Sequence, residues 1–162
     1  MIPQIQVDAR QALLKFSDAG IPEGVRRNLR TVIPGLTKKL GSLVDYKLNT
    51  ELKSRTHVEV KNEMVESPTY LYGRVSAVWT GDPKQSMVPA VLDTGAVAHD
   101  IEAVNASALF FFWEKLGMNV AFRRVHHPGF AGINYMKRSL DEMHDEIVNG
   151  LRQAAADGAK AA

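Results

Sequence analysis

The string of residues most typical of catalysis is Val91-Leu92-Asp93-Thr94-Gly95. Two apolar residues before Asp-Thr-Gly are the active-site signature of aspartic proteases, in which two aspartates share one proton and activate a water molecule. The string occurs once in this chain, so a second copy of the chain would have to supply the second aspartate. Asp93 is the residue that such an acid-protease mechanism would use.

The sequence around Asp93 favours a structural turn over catalysis. An aspartic protease is a nearly all-β chain with a Gly-rich flap and a second apolar-apolar-Gly strand after the aspartate. Here a long helical pattern lies upstream, and the downstream sequence shows neither the flap nor the second strand. An ordinary Asx or Gly turn accounts for the same residues. We therefore predict no catalytic residue, and a dimeric aspartic protease remains the alternative from a different functional class.

Histidines suggest a second kind of site, a metal centre. His126 and His127 are adjacent, and His99 lies upstream. Adjacent side chains on a strand point to opposite faces, so the two cannot bind one ion without a bend. A strand that ends in a Pro-Gly turn accounts for the string, and no phosphate loop, dinucleotide fingerprint or nucleophile elbow is present. The sequence therefore predicts no metal and no cofactor.

Composition narrows the class of protein. The 162 residues include no cysteine, which excludes a disulfide framework, a thiol nucleophile and cysteine-ligated metal centres. The formal net charge of +2 is small for a protein that binds bulk polyanions. No basic region leads into an apolar core at the N-terminus, and no apolar run is long enough for a membrane span. We expect a chain made in the cytoplasm, with no membrane partner.

Helical periodicity dominates the first third of the chain. Asp8 and Gly20 are typical of the N-cap and the stop of a short helix over residues 9–19. Apolar residues at steps of three and four then predict one long helix over residues 22–53. Pro34 falls inside this pattern, so we expect a kink near it, with a break at the same place as the alternative.

Between residues 56 and 125 the apolar period changes to two, which predicts strands. A hairpin closes around residues 66–68, a loop follows at 80–86, and residues 87–92 are ambiguous between a helical turn and a strand. Three further strands are predicted at residues 99–103, 108–113 and 119–125.

A second amphipathic pattern begins at about Tyr135 and predicts a C-terminal helix, with Asn134 as its cap. The order of helices, then strands, then a helix predicts an α+β fold with a mainly antiparallel sheet flanked by the two long helices. We expect a single domain over residues 1–162 with an ordered core at about 8–155. The short N-terminal segment and the alanine-rich tail are predicted to be flexible.

Charge is distributed unevenly along the chain. Residues 1–55 carry ten basic against five acidic side chains, and residues 134–162 carry four against five. Such charges would serve complementary contacts between neighbouring subunits or a basic face near DNA, and two solvated helix faces explain them as well. The candidate interface residues on the two helices are Arg26, Arg27, Arg30, Asp141, Glu142 and Asp145.

The run Phe110-Phe111-Phe112-Trp113 is the most aromatic part of the sequence. Successive side chains of a strand alternate sides, so the run places aromatic rings on both faces of one strand. Either the strand is covered on both faces, or one face is an apolar interface. Phe111 and Trp113 therefore join the candidate interface residues.

Five short pieces follow one another in the second half of the chain. They are an apolar-apolar-acidic-x-Gly turn at 91–95, a His-x-Ile strand at 99–101, an Ala-Leu-Phe strand at 105–110, a Val-x-His-Pro-Gly turn at 125–129 and an amphipathic helix from 135. In order and spacing they resemble the small minor tail or tail-completion proteins of long-tailed bacteriophages, which act at the head–tail junction. The resemblance covers about residues 8–155, and its motif positions are Asp93, Gly95, His99, Ile101, Leu109, Val125, His127, Pro128, Gly129 and Tyr135.

The resemblance implies a non-enzymatic virion protein, located in the phage neck or tail and in the host cytoplasm during assembly. Such subunits form a ring of about six copies between the connector or adaptor and the tail tube or its terminator. A tail terminator that caps the tail tube is the second structural alternative. DNA passes through such a ring, so contact with genomic DNA would be transient and independent of sequence. We expect the isolated chain to be monomeric or weakly associated.

Overall fold

The computed structural model describes residues 4–8, 21–51, 57–67 and 70–160. Two long helices and several antiparallel strand pairs make an α+β fold, as predicted. The elements in chain order are β1 (Gln4–Asp8), α1 (Glu23–Glu51), β2 (Val58–Glu66), β3 (Leu71–Trp79), a 3-10 turn (Pro83–Gln85), α2 (Val88–Thr94), β4 (Gly95–Ala96), β5 (His99–Glu102), β6 (Leu109–Trp113), β7 (Met118–Phe122), β8 (Arg124–His127), β9 (Phe130–Ala131) and α3 (Tyr135–Lys160).

Helix α1 continues through Pro34, as its apolar register predicts. Pro22 precedes the helix, and its carbonyl accepts the backbone N–H of Arg26 at 2.8 Å. Leu29 and Ile33 are among the residues of the buried face, whereas Pro34 lies on the exposed face. The single long helix is therefore confirmed, and the kink stays a prediction.

Helix α3 packs along α1 in the antiparallel direction. Near the start of α1, Asn28 Nδ2 donates to the carbonyl of Ala154 at 3.3 Å. Near the end of α1, Lys47 Nζ lies 2.6 Å from Glu142 Oε2. The core lies between these two helices and β3, and its largest fully buried side chains include Leu29, Ile33, Leu40, Val44, Leu71, Val75, Tyr135 and Leu151.

The central strand of the three-stranded sheet is β3, in the order β1-β3-β2. Leu71, Val75 and Ala77 are buried at alternate positions of β3, which confirms the period of two. Gly73 lies on the same face, where a Cβ would stand 1.8 Å from Thr37 Oγ1 of α1. Glycine therefore permits the close approach of strand and helix at this point. The predicted hairpin of β2 and β3 is also confirmed.

The remaining strands form three two-stranded ribbons, rather than extending the predicted sheet. The predicted strand at 119–125 is divided at Arg123 into β7 and β8. The ambiguous residues 87–92 belong to α2, where Pro89 lies in the first turn and has no helical N–H bond to lose. The predicted loop at 80–86 contains the 3-10 turn.

The segment before Asp8 contains a strand that its sequence does not predict, and the flexibility of this segment stays a prediction. Residues 4–8 form β1, which pairs with β3 from Gln4 opposite Ser76 to Asp8 opposite Tyr72. The alternation in this short segment gave little local signal, and its strand conformation depends on pairing with β3. The predicted helix over residues 9–19 lies outside the described residues, as does its stop at Gly20.

The alanine-rich C-terminal segment is helical as far as Lys160, and its flexibility stays a prediction. Helix α3 continues to Lys160, because Ala154, Ala155 and Gly158 are buried against the start of α1. A Cβ at Gly158 would stand 2.5 Å from the Cα of Val25, so the two helices are in close backbone contact there. Small residues that look like low-complexity sequence thus serve helix packing.

Candidate interaction surface

Residues 95–131 form one long hairpin, which we call the arm. Strands β4 and β9 pair at its root, β5 and β8 in its stalk, and β6 and β7 at its tip. Root and stalk share one register, with Gly95 opposite Ala131 and His99 opposite His127. Residues 104–108 carry no strand pairing, so the register changes and the tip begins with Leu109 opposite Phe122.

The root of the arm is held between α2 and α3. Asp93 Oδ1 accepts the backbone N–H of Met136 at 3.0 Å, and the Asp93 carbonyl accepts that of Asn134 at 2.9 Å. Tyr135 is fully buried, and its hydroxyl donates to the carbonyl of Pro89 at 2.9 Å. Burial raises the pKa of the Tyr135 phenol. Asp93 therefore caps the first turn of α3 from a different element.

Two glycines and one asparagine turn the chain at the root. Gly95 and Gly129 have φ angles of 87° and 78°, in the left-handed region that favours glycine. Asn134 has a φ of 50°, and its side chain donates to the carbonyl of Gly132. The predicted cap of α3 is thus corrected, because the side chain that accepts the helical N–H belongs to Asp93.

One face of the stalk is charged. Arg124 Nη2 contacts Asp100 Oδ2, and His126 Nδ1 lies 2.8 Å from Asp100 Oδ1. Arg124 Nε also lies 3.4 Å from Glu102 Oε1. The hydrogen bonds from Arg124 and then His126 lower the pKa of Asp100. These cross-strand pairs stabilise a ribbon that has little apolar cover of its own.

The other face of the stalk carries His99 and His127, whose rings stack at 5.1 Å between centroids. His126 and His127 therefore lie on opposite faces of β8, as strand geometry predicts. Among the described residues, no group of three or more histidine and acidic side chains is placed to hold a metal ion.

The first face of the tip carries an aromatic cluster. Phe111 and Phe122 lie 6.2 Å apart between ring centroids, and Trp113 and Phe122 lie 5.9 Å apart with their rings edge to face. These distances are typical of favourable aromatic pairs. The residues of this face, from the strand register, are Leu109, Phe111, Trp113, Met118, Val120 and Phe122.

The second face of the tip is also apolar and is even more exposed. Phe110 is 77% exposed and Phe112 is 59% exposed, and their cross-strand partners are Ala121 and Asn119. Of residues 109–122, all but Leu109 and Val120 are exposed. Soluble monomers rarely expose a contiguous apolar surface of this kind. The tip is therefore the candidate interaction surface of the molecule.

Comparisons of the chain with protein-family models, curated proteins and solved structures find no match. Among the described residues, no helix is long and apolar enough to cross a membrane.

The motif positions of the sequence all lie in the arm or at its root. Gly95, Pro128 and Gly129 lie where the arm begins and ends, and Asp93 and Tyr135 hold that point to α2 and α3. The positions in the stalk and at the start of the tip are His99, Ile101, Val125, His127 and Leu109. The five pieces of sequence thus belong to the arm and to the two helices that hold its root.

Two of the three arginines predicted for an interface bind an acidic residue of the same chain. Arg26 is buried, and its Nη1 donates to Glu66 Oε1 at 2.9 Å and to the Ser67 carbonyl at 2.8 Å. Arg30 Nη2 donates to the same Glu66 oxygen at 2.7 Å. These hydrogen bonds, that of Arg30 first, lower the pKa of Glu66 to about 2. Arg27 is exposed.

The basic and the acidic helix are also paired with each other. Lys39 Nζ lies 2.6 Å from Glu146 Oε2, and the pair of Lys47 with Glu142 has the same distance. Of the other acidic candidates, Asp141 contacts Lys137 one turn away on α3. Asp145 is exposed and lies 2.9 Å from His144 Nδ1. Part of the opposite charge is therefore matched within one chain.

Sequence reasoning missed that the predicted strands pair as one arm. It also missed Met118, Val120 and Phe122 as members of the aromatic face. The available signal was the alternating apolar pattern of residues 118–122, which mirrors residues 109–113 across a short turn. A turn of residues 114–117 pairs these two strands directly, with Gly117 at a φ of 62°.

Proposed function

We propose that the chain is a structural virion protein of a long-tailed bacteriophage, a tail-completion or head–tail joining subunit. It forms a ring between the connector and the tail tube, with copies of itself as its neighbours. The observation that carries this proposal is the arm, which unites the residues of the resemblance and ends in an exposed apolar tip.

The arm supports an assembly role because the rest of its own chain contributes little to its stability. An isolated two-stranded ribbon is marginally stable in water. A marginally stable ribbon with an exposed apolar tip fits a subunit in which this tip is covered after assembly. The root, by contrast, is fixed through Asp93 and Tyr135, so the direction of the arm is set by the body of the molecule.

The pairing of the basic side chains of α1 agrees with DNA that passes the subunit without being bound by it. Arg26 and Arg30 are held by Glu66, and Lys39 and Lys47 are paired with α3. Few of the basic side chains of α1 are therefore available to neutralise phosphates. Contact with genomic DNA would be weak, transient and independent of sequence.

The geometry of Asp93 supports a structural role over proteolysis. Its carboxylate accepts a backbone N–H at the start of α3, so it is engaged in holding two helices together. If the chain were a dimeric aspartic protease, the purified protein would cleave peptides at acidic pH and Asp93→Asn would abolish the cleavage. We expect no cleavage by either protein.

Deletion of the gene from its phage tests the proposed function. We expect filled heads and complete tails that do not join, and restoration of joined particles by the unmodified gene. A gene with Phe110→Ser and Phe112→Ser should restore joining poorly, and the matched control Tyr46→Ser, an exposed aromatic residue of α1, should restore it fully.

Two outcomes of the deletion would contradict the head–tail joining role. Tails of irregular length would identify the chain as a tail terminator, because an uncapped tube continues to polymerise. Normal, joined and infectious particles in the absence of the gene would refute a neck function altogether.

A further inference from the structure

The tip of the arm is apolar on both of its faces, and a flat docking surface covers only one of them. The aromatic face contains Phe111, Trp113 and Phe122, and the opposite face contains Phe110 and Phe112. A single surface that docks on one face of a ribbon leaves the other face in water. The tip therefore requires two contacts, one on each side.

The exposed apolar area of the tip is divided between its two faces. Together, its five aromatic side chains, Leu116 and Met118 expose roughly 700 Å² of surface. This figure takes the area of a whole side chain as about 200 Å². A stable interface of standard size buries about 800 Å² on each partner. Each face therefore offers about 350 Å² to one neighbour, less than half of a standard interface, so a single tip-to-tip contact is weak and closure of the ring has to add to it.

The charge of the arm indicates what lies on these faces. Residues 95–131 contain three acidic and three basic side chains, so the arm is neutral. A partner such as DNA or an anionic lipid surface calls for a basic excess, which the arm lacks. Neutral arms can be brought close together in identical copies without net repulsion.

We propose that the occupant of the tip is the tip of a second copy of this chain. The aromatic face of one tip packs on the Phe110 and Phe112 face of the next, so that every tip lies between two others. This inference rests on the proposed ring and deepens it, because it names the surface through which the ring closes.

Contact between unlike faces has a definite consequence for symmetry. It is a heterologous interface, which produces a closed ring when the rotation per subunit closes and a filament when it does not. An isologous contact of two aromatic faces would stop at a dimer and would leave Phe110 and Phe112 exposed. The two-sided tip therefore favours a collar of arms over a pair.

The absence of cysteine from the chain allows a clean test by disulfide cross-linking of the full-length protein. Met118→Cys places a thiol on the aromatic face, and Asn119→Cys places one on the opposite face. Both positions are exposed. The two proteins are mixed and oxidised, and each is also oxidised alone. Tyr46→Cys, on an exposed position of α1, is the control for random collision.

We expect the mixture to form the mixed disulfide roughly tenfold faster than Tyr46→Cys forms its own dimer, because association raises the local thiol concentration. Each single-cysteine protein alone should cross-link more slowly than the mixture. Thermal unfolding is measured for each variant, and Val120→Cys with Ala121→Cys replaces the first pair if either of its members is unfolded.

Equal rates for Met118→Cys alone and for the mixture would overturn the proposal in favour of a symmetric dimer. A mixture no faster than the control would overturn self-association, and sedimentation of that protein with phosphatidylcholine vesicles would then identify lipid as the occupant. Either result in a protein that is still required for head–tail joining would refute only this inference and would leave the proposed function intact.

Discussion

Glu66 connects helix α1 to the β2–β3 hairpin through Arg26 and Arg30. The arginines lower the pKa of Glu66 to about 2, below its ordinary value of 4.5. A carboxyl group with a lowered pKa in the folded state stabilises the fold above its unfolded pKa. That contribution is lost as the pH falls from about 4.5 toward 2.

Glu66→Gln should therefore lower the melting temperature at neutral pH, because it removes the charge that Arg26 and Arg30 bind. The difference from the unmodified protein should shrink as the pH is lowered from about 4.5 toward 2, because Glu66 then becomes protonated and loses its charge as well. Glu59→Gln, an exposed change on the same strand, is the matched control. Thermal unfolding followed by circular dichroism would contradict the account if the two variants melted alike at neutral pH.

Gly73 and Gly35 should respond in opposite directions to alanine. Gly73→Ala places a Cβ 1.8 Å from the Oγ1 atom of Thr37, whose β-branched side chain is stiff. This change should lower the unfolding free energy by about 2 kcal/mol. Gly35 is an exposed helical position with no atom within 4 Å of a new Cβ, so Gly35→Ala should gain up to about 1 kcal/mol. Urea denaturation measures both, and a neutral Gly73→Ala would show that β3 and α1 are farther apart.

At the scale of the elements, the turn between α2 and the arm depends on the capping of α3 by Asp93. Asp93→Ala leaves the Met136 N–H without this acceptor and should cost about 1 kcal/mol of unfolding free energy. Asp93→Asn keeps an oxygen acceptor and should lose less. Urea denaturation of the two variants compares them directly, and equal losses would show that the charge rather than the hydrogen bond matters.

The long elements follow from the sequence because their patterns are local. Apolar steps of three and four predict α1 through Pro34, and alternation predicts β2 and β3. The end of α3 does not follow, since Ala154 and Gly158 gain their helical conformation from packing on α1. Strand β1 is missed for the same reason, because its partner β3 is distant in sequence.

The sequence predicts which residues form the candidate surface, but it does not predict the shape of the arm that carries them. The alternation of Phe110 to Trp113 predicts aromatic rings on two sides of a strand, and β6 has this arrangement. Nothing local predicts that β5 and β8 extend the same hairpin, because their register is set from the root at Gly95 and Ala131. Helix charge was likewise visible in the sequence, whereas its pairing within the chain depends on the packing of α1 on α3.

At the scale of the whole molecule, we expect no retention of duplex DNA at physiological salt. Arg26, Arg30, Lys39 and Lys47 of α1 are paired within the chain, and the arm is neutral. A gel-shift titration at low and at physiological salt measures this. A specific affinity that falls steeply with salt and is lost in Arg27→Ala would contradict the account and indicate a DNA-binding module.

We propose that this chain is a ring-forming component of a phage neck, with its arms directed toward one another. If a phage encodes the chain, cryo-electron microscopy of its purified particles would show the ring directly. We predict a ring of about six copies between connector and tail tube, with the tips of neighbouring arms in contact. Particles that lack the chain, as judged by the map and by mass spectrometry of the same sample, would contradict the account.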